Sequence, residues 1–175
     1  MCDPINPGDR RAAEADGRAG ELIRTLELTP HPEGGYYREV FRSPARVHPL
    51  DGRTDRLALT TIYFLLVARQ VSRWHRVASD EVWHYYEGGP LELLAADAGF
   101  NRVSRRRLGP VGDKTEPVHV VPAGEWQAAR SMGPYTLVGC TVGPGFEFAD
   151  FQMLDSLPDE AAALRRRQPE VAAFI

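Results

Sequence analysis

The sequence contains very little cysteine. Cys2 and Cys140 are its two thiols, and they lie far apart in the 175-residue chain. Small secreted proteins that depend on disulfides carry several cysteines at short spacings. The scarcity therefore argues against a disulfide framework and predicts a protein of the reducing cytoplasm.

Long hydrophobic runs and strong charge are missing as well. The longest apolar stretch is LALTTIYFLLVA at 57–68, whereas a helix needs about 20 apolar residues to cross a bilayer. The polar opening of the sequence has no apolar segment of the kind found in a signal peptide. The net charge of −3 offers no basic surface to nucleic acid or to an acidic membrane. We predict neither as a partner, and we interpret the apolar run as a buried strand.

The rest of the sequence predicts one all-β domain. Its length suits a single domain, which we place at 13–175 after a disordered N-terminus at 1–12. Apolar residues at helical spacing predict a short helix at 14–26, and Ser156 before a proline and two acids predicts the start of another. Between them, roughly nine segments have the alternation and the β-branched and aromatic content of strands. These segments are YYREVFRS, LALTTIYFLLVA, VSRWHRV, EVWHYYEG, LELLAAD, RVSRRRLG, HVVPAGEWQAAR, YTLVGCTVG and FEFADFQML. Regularly spaced turns between them favour a β-barrel or a jelly roll.

The stretch WHRVASDEVWHYYEGG at 74–89 concentrates polar groups. Successive side chains of a strand point to opposite faces, so Glu81 shares a face with Trp83 while His84 lies on the other. A hairpin turning at Ala78–Asp80 brings His75 onto the face of Glu81. We therefore expect His75 and Glu81 to point into the barrel and His84 to point away.

The spacing of these residues resembles the two motifs of the cupin superfamily. The positions that match are His75, Glu81, Gly88, Pro122, Gly124 and, by position alone, Gln127. The wider run over roughly 21–155 resembles the cupin branch long labelled as a domain of unknown function. This resemblance implies an RmlC-like jelly roll, a double-stranded β-helix with a short helix at each end. It also implies a homodimer that pairs through edge strands.

Two ligand positions depart from a cupin metal site. Val77 stands where the first motif has its second histidine, and Gln127 stands where the second motif has a histidine. By the resemblance, His75, Glu81 and Gln127 are the ligands if a divalent transition metal binds. A glutamine oxygen is a weaker ligand than imidazole or carboxylate, so no cofactor is firmly predicted.

His75 and Glu81 also suit acid–base chemistry without a metal, because a histidine beside a carboxylate in a partly dry barrel titrates near neutral pH. We expect His75 to abstract a proton beside a carbonyl, Glu81 to orient the imidazole, and Gln127 and Tyr37 to hold substrate oxygens. The substrate is a small sugar-like or carbonyl-bearing molecule, and the reaction class is an isomerase, an epimerase or a lyase. A non-catalytic ligand-binding or sensing protein and a metal-dependent oxygenase stay open as alternatives, so whether the chain is an enzyme is left undecided.

The segment PEGGYYREVF is also similar to an early strand of the deoxysugar nucleotide 3,5-epimerases, another cupin group. By that resemblance Tyr37 and Glu39 face the substrate, while Gly34 replaces the arginine that would contact a nucleotide phosphate. Further substrate contacts are expected from four aromatic side chains and one amide, namely Tyr63, Trp83, Tyr85, Trp126 and Gln127. Aromatic side chains together with a few polar groups are typical of small-molecule sites.

Three loop or strand residues are predicted to lie outside the site. His31 in TPHPEGG is expected to cap a turn, and His119 is expected to be an exposed strand residue. Glu147 is expected to point away from Phe146 and Phe148.

Overall fold

The computed structural model of the protein describes residues 17–175, so the predicted disorder at 1–12 lies outside the described residues. Helix α1 (Arg18–Thr25) buries Ala19, Leu22 and Ile23, as the apolar spacing predicts. Helix α2 (Pro158–Arg167) also forms, but its N-cap is Leu157. Ser156 is not the cap, because its hydroxyl donates to the carbonyl of Met153 at 2.7 Å.

The strands within 17–175 are, in chain order, β1 (Thr29–Pro30), β2 (Tyr36–Arg42), β3 (Arg46–Val47), β4 (Arg56–Leu57), β5 (Thr60–Val67), β6 (Val71–Val77), β7 (Asp80–Gly88), β8 (Leu91–Ala96), β9 (Val103–Leu108), β10 (Val118–Val121), β11 (Trp126–Ser131), β12 (Tyr135–Gly143) and β13 (Phe151–Met153). Short 3₁₀ helices lie at Phe148–Asp150, Leu154–Ser156 and Pro169–Phe174. The all-β prediction is confirmed.

The strands form two larger antiparallel sheets. The order is β1-β2-β5-β12-β7-β10 in the six-stranded sheet and β13-β6-β11-β8-β9 in the five-stranded sheet, and β3 pairs with β4. The predicted hairpin of β6 and β7 is wrong. β6 pairs with β11 and β13, and β7 pairs with β12 and β10. The short link between β6 and β7 carries the chain from one sheet to the other.

Two other predicted strands are divided in the structure. HVVPAGEWQAAR becomes β10 and β11 in different sheets, with a turn at Pro122–Glu125 where Gly124 has a φ of +78°. In FEFADFQML, a 3₁₀ helix at Phe148–Asp150 precedes the three residues of β13.

Strand alternation divides the core into layers. On β5, Phe64 and Leu66 belong to the cluster between the sheets, while Leu65 belongs to the cluster beneath α1. On β6, Trp74 faces outward and packs with the C-terminal helices, so His75 points into the sandwich.

No helix within 17–175 has the length and apolar content needed to cross a membrane.

Candidate functional site

A cavity of about 290 Å³ opens between the inner faces of the two sheets. Two imidazoles and two carboxyl groups lie in it, those of His31, Glu33, His75 and Glu81. Other polar lining residues are Glu39, Arg42, Thr60, Cys140 and Glu147. Its apolar and aromatic wall consists of Tyr37, Ile62, Phe64, Val77, Val142, Phe146, Phe148 and Phe151.

His75 is held by its backbone and by a carboxyl group from another segment. Its Nδ1–H donates to the carbonyl of Arg73 at 2.8 Å; a carbonyl only accepts, so Nδ1 carries the hydrogen. Nε2 lies 3.2 Å from Oε2 of Glu33. The side chain of His75 is 2% exposed. Its two ring nitrogens therefore face the Arg73 carbonyl and the Glu33 carboxyl group and not water.

Glu33 lies in the turn between β1 and β2, within the segment TPHPEGG. The carbonyl of Glu33 accepts the N–H of Arg73 at 2.9 Å, and Ser72 donates its hydroxyl to Oε1 at 2.7 Å. These two bonds fasten the turn to β6 beside His75. Burial raises the pKa of Glu33 to about 8, although the Ser72 hydrogen bond and the charge of Arg73 oppose this shift.

The contact between Glu33 and His75 joins two groups whose neutral forms are favoured by burial. Burial also lowers the pKa of His75, which favours the neutral ring with a free electron pair on Nε2. A proton on Glu33 lies within reach of Nε2, which is 3.2 Å from Oε2, and its transfer would convert the neutral pair into an ion pair. The pair can therefore take up or release a proton at a defined nitrogen atom.

His31 has both a turn role and a place in the cavity wall. Its Nδ1 accepts the N–H of Glu33 at 3.3 Å, and its ring meets that of Tyr37 edge-on at 4.5 Å between centroids. Burial, and then the charge of His75, lowers the pKa of His31 to about 3. The ring is therefore neutral in the folded protein near neutral pH.

Glu81 is oriented by Gln127 and makes no direct bond to His75. The Gln127 side chain donates its N–H to Glu81 Oε2 at 2.6 Å and accepts the indole N–H of Trp83 at 3.0 Å. Because an indole only donates, this bond fixes the orientation of the amide. Burial raises the pKa of Glu81. The carboxyl group that contacts the His75 ring is thus that of Glu33, which the sequence reasoning did not select.

The other expected substrate contacts divide into two groups. Tyr37 and Glu39, which the resemblance to the 3,5-epimerases implies as substrate contacts, line the cavity. The four predicted aromatic contacts and Gln127 lie outside the wall, with Trp83 buried against the Gln127 amide. Trp126 is fully buried and stacks on Phe100 at 5.7 Å, Tyr63 lies beside Arg38 at 5.9 Å, and the Tyr85 hydroxyl donates to the Gly88 carbonyl at 2.6 Å. For Trp126 the cause is strand alternation, which places it on the face opposite to Gln127.

The mouth of the cavity contains residues that the sequence did not identify. Arg42 donates to both carboxylate oxygens of Glu39, at 2.9 and 2.7 Å. It also approaches Glu147 and the carbonyl of Phe146, each at 3.4 Å. Glu147 was expected to point away but lines the cavity, since residues 144–147 are irregular and strand alternation does not apply there.

His119 was expected to be exposed, yet its side chain is only 12% exposed.

The predicted metal ligands do not fit a metal centre. Among residues 17–175, no group of three or more His, Cys, Asp or Glu side chains has the arrangement of a metal site. The Gln127 oxygen is occupied by the Trp83 indole, and Val77 presents an apolar side chain at the second histidine position. We therefore derive no step through a metal ion.

Comparison with known proteins agrees with the fold. The family model described as "Cupin superfamily (DUF985)" matches residues 20–154, and no curated protein matches the chain. A hypothetical protein from Leishmania major is 34% identical over 91% of this chain and 97% of that one, with a TM-score of 0.78. A protein of Shewanella oneidensis is 31% identical over 90% and 94% of the two chains, with a TM-score of 0.75. A cupin 2 conserved barrel domain protein from Rhodopseudomonas palustris shares the fold at 19% identity and a TM-score of 0.55, covering 82% and 80%.

Proposed function

Since this chain belongs to the cupin superfamily, in the branch described as DUF985, we propose that its jelly-roll cavity binds a small organic molecule and transfers a proton to and from it. The observation that carries the proposal is the 3.2 Å contact between His75 Nε2 and Glu33 Oε2 in a cavity of about 290 Å³. That volume suits a molecule of metabolite size.

In the proposed reaction, neutral His75 is the base. Nδ1 is committed to the Arg73 carbonyl, so Nε2 is the atom that accepts a proton from a carbon beside a substrate carbonyl. The substrate displaces the Glu33 carboxyl group from Nε2 to reach this electron pair. The resulting imidazolium is stabilised by Glu33 and returns the proton to the same carbon or to a neighbouring atom. Return to a different atom gives an isomerase, and return to the opposite face of the same carbon, after the bound enol turns over, gives an epimerase; both balance without a co-reactant. Tyr37, which lines the wall, would donate a hydrogen bond to the carbonyl oxygen.

The proposed base can be tested by proton exchange with solvent. We expect the purified protein to incorporate deuterium from D₂O into small carbonyl-bearing sugars and hydroxyketones. Proton NMR measures this exchange as the loss of the substrate C–H signal. His75→Gln should slow exchange by at least about 100-fold, since general acid–base catalysis contributes about 10²–10⁴-fold. His84→Gln is the matched control, because His84 lies on the other face of β7 and outside the cavity wall.

Saturable binding of such molecules without any exchange would contradict the catalytic proposal. That outcome would favour the second candidate, a binding or sensing protein that uses the same cavity. Equal exchange rates in the wild type and in His75→Gln would show that another group is the base.

A further inference from the structure

Carboxyl groups dominate the ionisable side chains around the cavity. Glu33 and Glu81 lie inside it, and Glu39 and Glu147 lie at its mouth. Among the described residues that line the cavity, Arg42 is the one arginine, and none is a lysine. At the mouth, where Glu39 and Glu147 surround one guanidinium, the electrostatic field therefore opposes an anion.

Arg42 is not free to bind an anionic ligand. Two of its nitrogens donate to Glu39 at 2.9 and 2.7 Å, and the third lies 3.4 Å from both Glu147 and the Phe146 carbonyl. An anion at the mouth would have to compete with two carboxylates for one guanidinium. The mouth keeps an excess of negative charge.

The inner carboxyl groups face neutral donors. Glu33 receives the Ser72 hydroxyl, and Glu81 receives the Gln127 amide. The guanidinium of Arg73 points elsewhere, to Asp155 at 2.6 Å and to the Pro32 carbonyl at 2.7 Å. Burial raises the pKa of both groups and favours their protonated form. A positively charged ligand beside them would stabilise the carboxylate form and pair with it.

One buried imidazole has an N–H without a partner among the described residues and therefore favours a ligand that carries an oxygen atom. The His31 side chain is 7% exposed, and its Nδ1 is used by the Glu33 N–H. The hydrogen of the neutral ring is then on Nε2, which makes no hydrogen bond to any residue of the described chain. Since His31 lines the cavity, a ligand with a hydroxyl or carbonyl oxygen can accept this bond.

Aromatic rings form the wall near the mouth. The centroids of Phe146, Phe148 and Phe151 lie 5.1, 5.8 and 6.3 Å apart in edge-to-face pairs. The faces of such rings attract organic cations, most strongly where water is excluded. Carboxylates next to phenyl rings are the surroundings that an ammonium group prefers.

We infer that the cavity selects a small organic ammonium compound that also carries a hydroxyl or carbonyl oxygen, in preference to a neutral or anionic molecule of the same shape. This inference rests on the proposed function, since it takes the same cavity as the ligand site.

Three probes of equal shape separate charge from size. Choline carries the cation, 3,3-dimethylbutan-1-ol replaces its nitrogen by carbon, and 3,3-dimethylbutanoate is the anion. Isothermal titration calorimetry of the full chain in the presence of EDTA should give choline an affinity at least about tenfold above that of the alcohol, as a partly desolvated cation–π contact provides. The anion should give no saturable binding.

Two variants assign the preference to the cavity. Glu147→Gln and Glu33→Gln should each lower the ratio of choline to alcohol affinity by at least about threefold. Glu170→Gln, at an exposed position far from the cavity wall, should leave it unchanged. Circular dichroism checks that each variant is folded.

Equal or tighter binding of the alcohol or the anion would overturn the inference, as would the absence of saturable choline binding. An unchanged ratio in both Glu147→Gln and Glu33→Gln would also overturn it. Solvent exchange that persists without a charge preference would contradict this inference alone. A charge preference without any exchange would contradict the proposed proton transfer alone.

Discussion

At the scale of single residues, Glu33 is a carboxyl group removed from water. It is 5% exposed and contacts a hydroxyl and an imidazole, so its protonated form is favoured in the folded chain and its pKa rises to about 8. A raised pKa means that the folded state binds more protons than the unfolded state between the two pKa values. Its contribution to stability is complete below the unfolded value of 4.5 and is lost as the pH rises towards 8.

Glu33→Gln should remove this pH dependence. The linkage relation gives at most about 5 kcal/mol for an isolated group with such a shift, and we expect on the order of half of that because His75 titrates in contact with it. Urea unfolding at pH 5 and pH 8 should show a larger loss of unfolding free energy in the wild type than in Glu33→Gln. Glu170→Gln should follow the wild type, and an identical loss in Glu33→Gln would show that Glu33 is ionised when folded.

At the scale of elements, the 3₁₀ helix at Phe148–Asp150 is fastened by an ion-pair cluster. Arg56 donates to both oxygens of Asp150 at 2.8 and 2.9 Å, and Arg53 donates at 2.9 Å. The Asp150 side chain is 6% exposed, and those of Arg53 and Arg56 are 15% and 12% exposed. Since Phe148 and Phe151 flank Asp150 and line the cavity, the cluster fixes the aromatic wall.

Asp150→Asn should destabilise the protein more than loss of an exposed ion pair does, because it leaves Arg56 without a carboxylate and Arg53 with Asp51 alone. The matched control is Asp155→Asn, whose pair with Arg73 is 41% and 38% exposed and should contribute less than about 1 kcal/mol. Free energies of unfolding from urea titration measure both. Similar losses in the two variants would contradict the structural role of the Asp150 cluster.

The pH dependence of this cluster has the opposite sign from that of Glu33. The Arg56 hydrogen bonds lower the pKa of Asp150. Its stabilising contribution is therefore present above the unfolded pKa and is lost as the pH falls through the folded value. Acid, which protonates Asp150, should therefore loosen the aromatic wall. Alkali should leave the ion-pair cluster intact, because both arginines stay charged.

At the scale of the whole molecule, the two sheets leave edges open to pairing. β10 is an edge strand of the six-stranded sheet, and Val118 and Val120 on it are 43% and 58% exposed. Unpaired strand edges with apolar side chains are sites of association. The expected homodimer therefore has a physical basis at β10, and it stays a prediction.

Light scattering should give twice the mass of a single chain if two copies pair through β10. Val120→Glu should shift the mass towards the monomer, because it places a charge in the paired edge. Val111→Glu serves as the control, since Val111 is 86% exposed and lies outside the strands. A monomeric wild type, or a dimer that persists in Val120→Glu, would exclude this interface.

The sequence predicted the parts of the fold that depend on local pattern. Alternation placed His75 and Glu81 on inward faces, and the apolar spacing at Ala19, Leu22 and Ile23 predicted α1. The link between β6 and β7 was misassigned as a hairpin turn, because a short connection has the same local chemistry whether or not the strands pair. The pattern FEFADFQML predicts a strand from residue 146, but residues 146–150 are irregular because their path is set by distant contacts such as that of Asp150 with Arg56.

By itself the sequence determined an all-β cupin domain and the inward position of His75 and Glu81, because strand alternation and motif spacing are properties of short segments. Only the tertiary structure decided which group contacts His75. Glu33 is separated from His75 by all of β2 and β5, and burial of the turn against β6 brings its carboxyl group to Nε2. The same packing engages both ends of the Gln127 amide with Trp83 and Glu81, since buried polar groups must find partners wherever the fold places them.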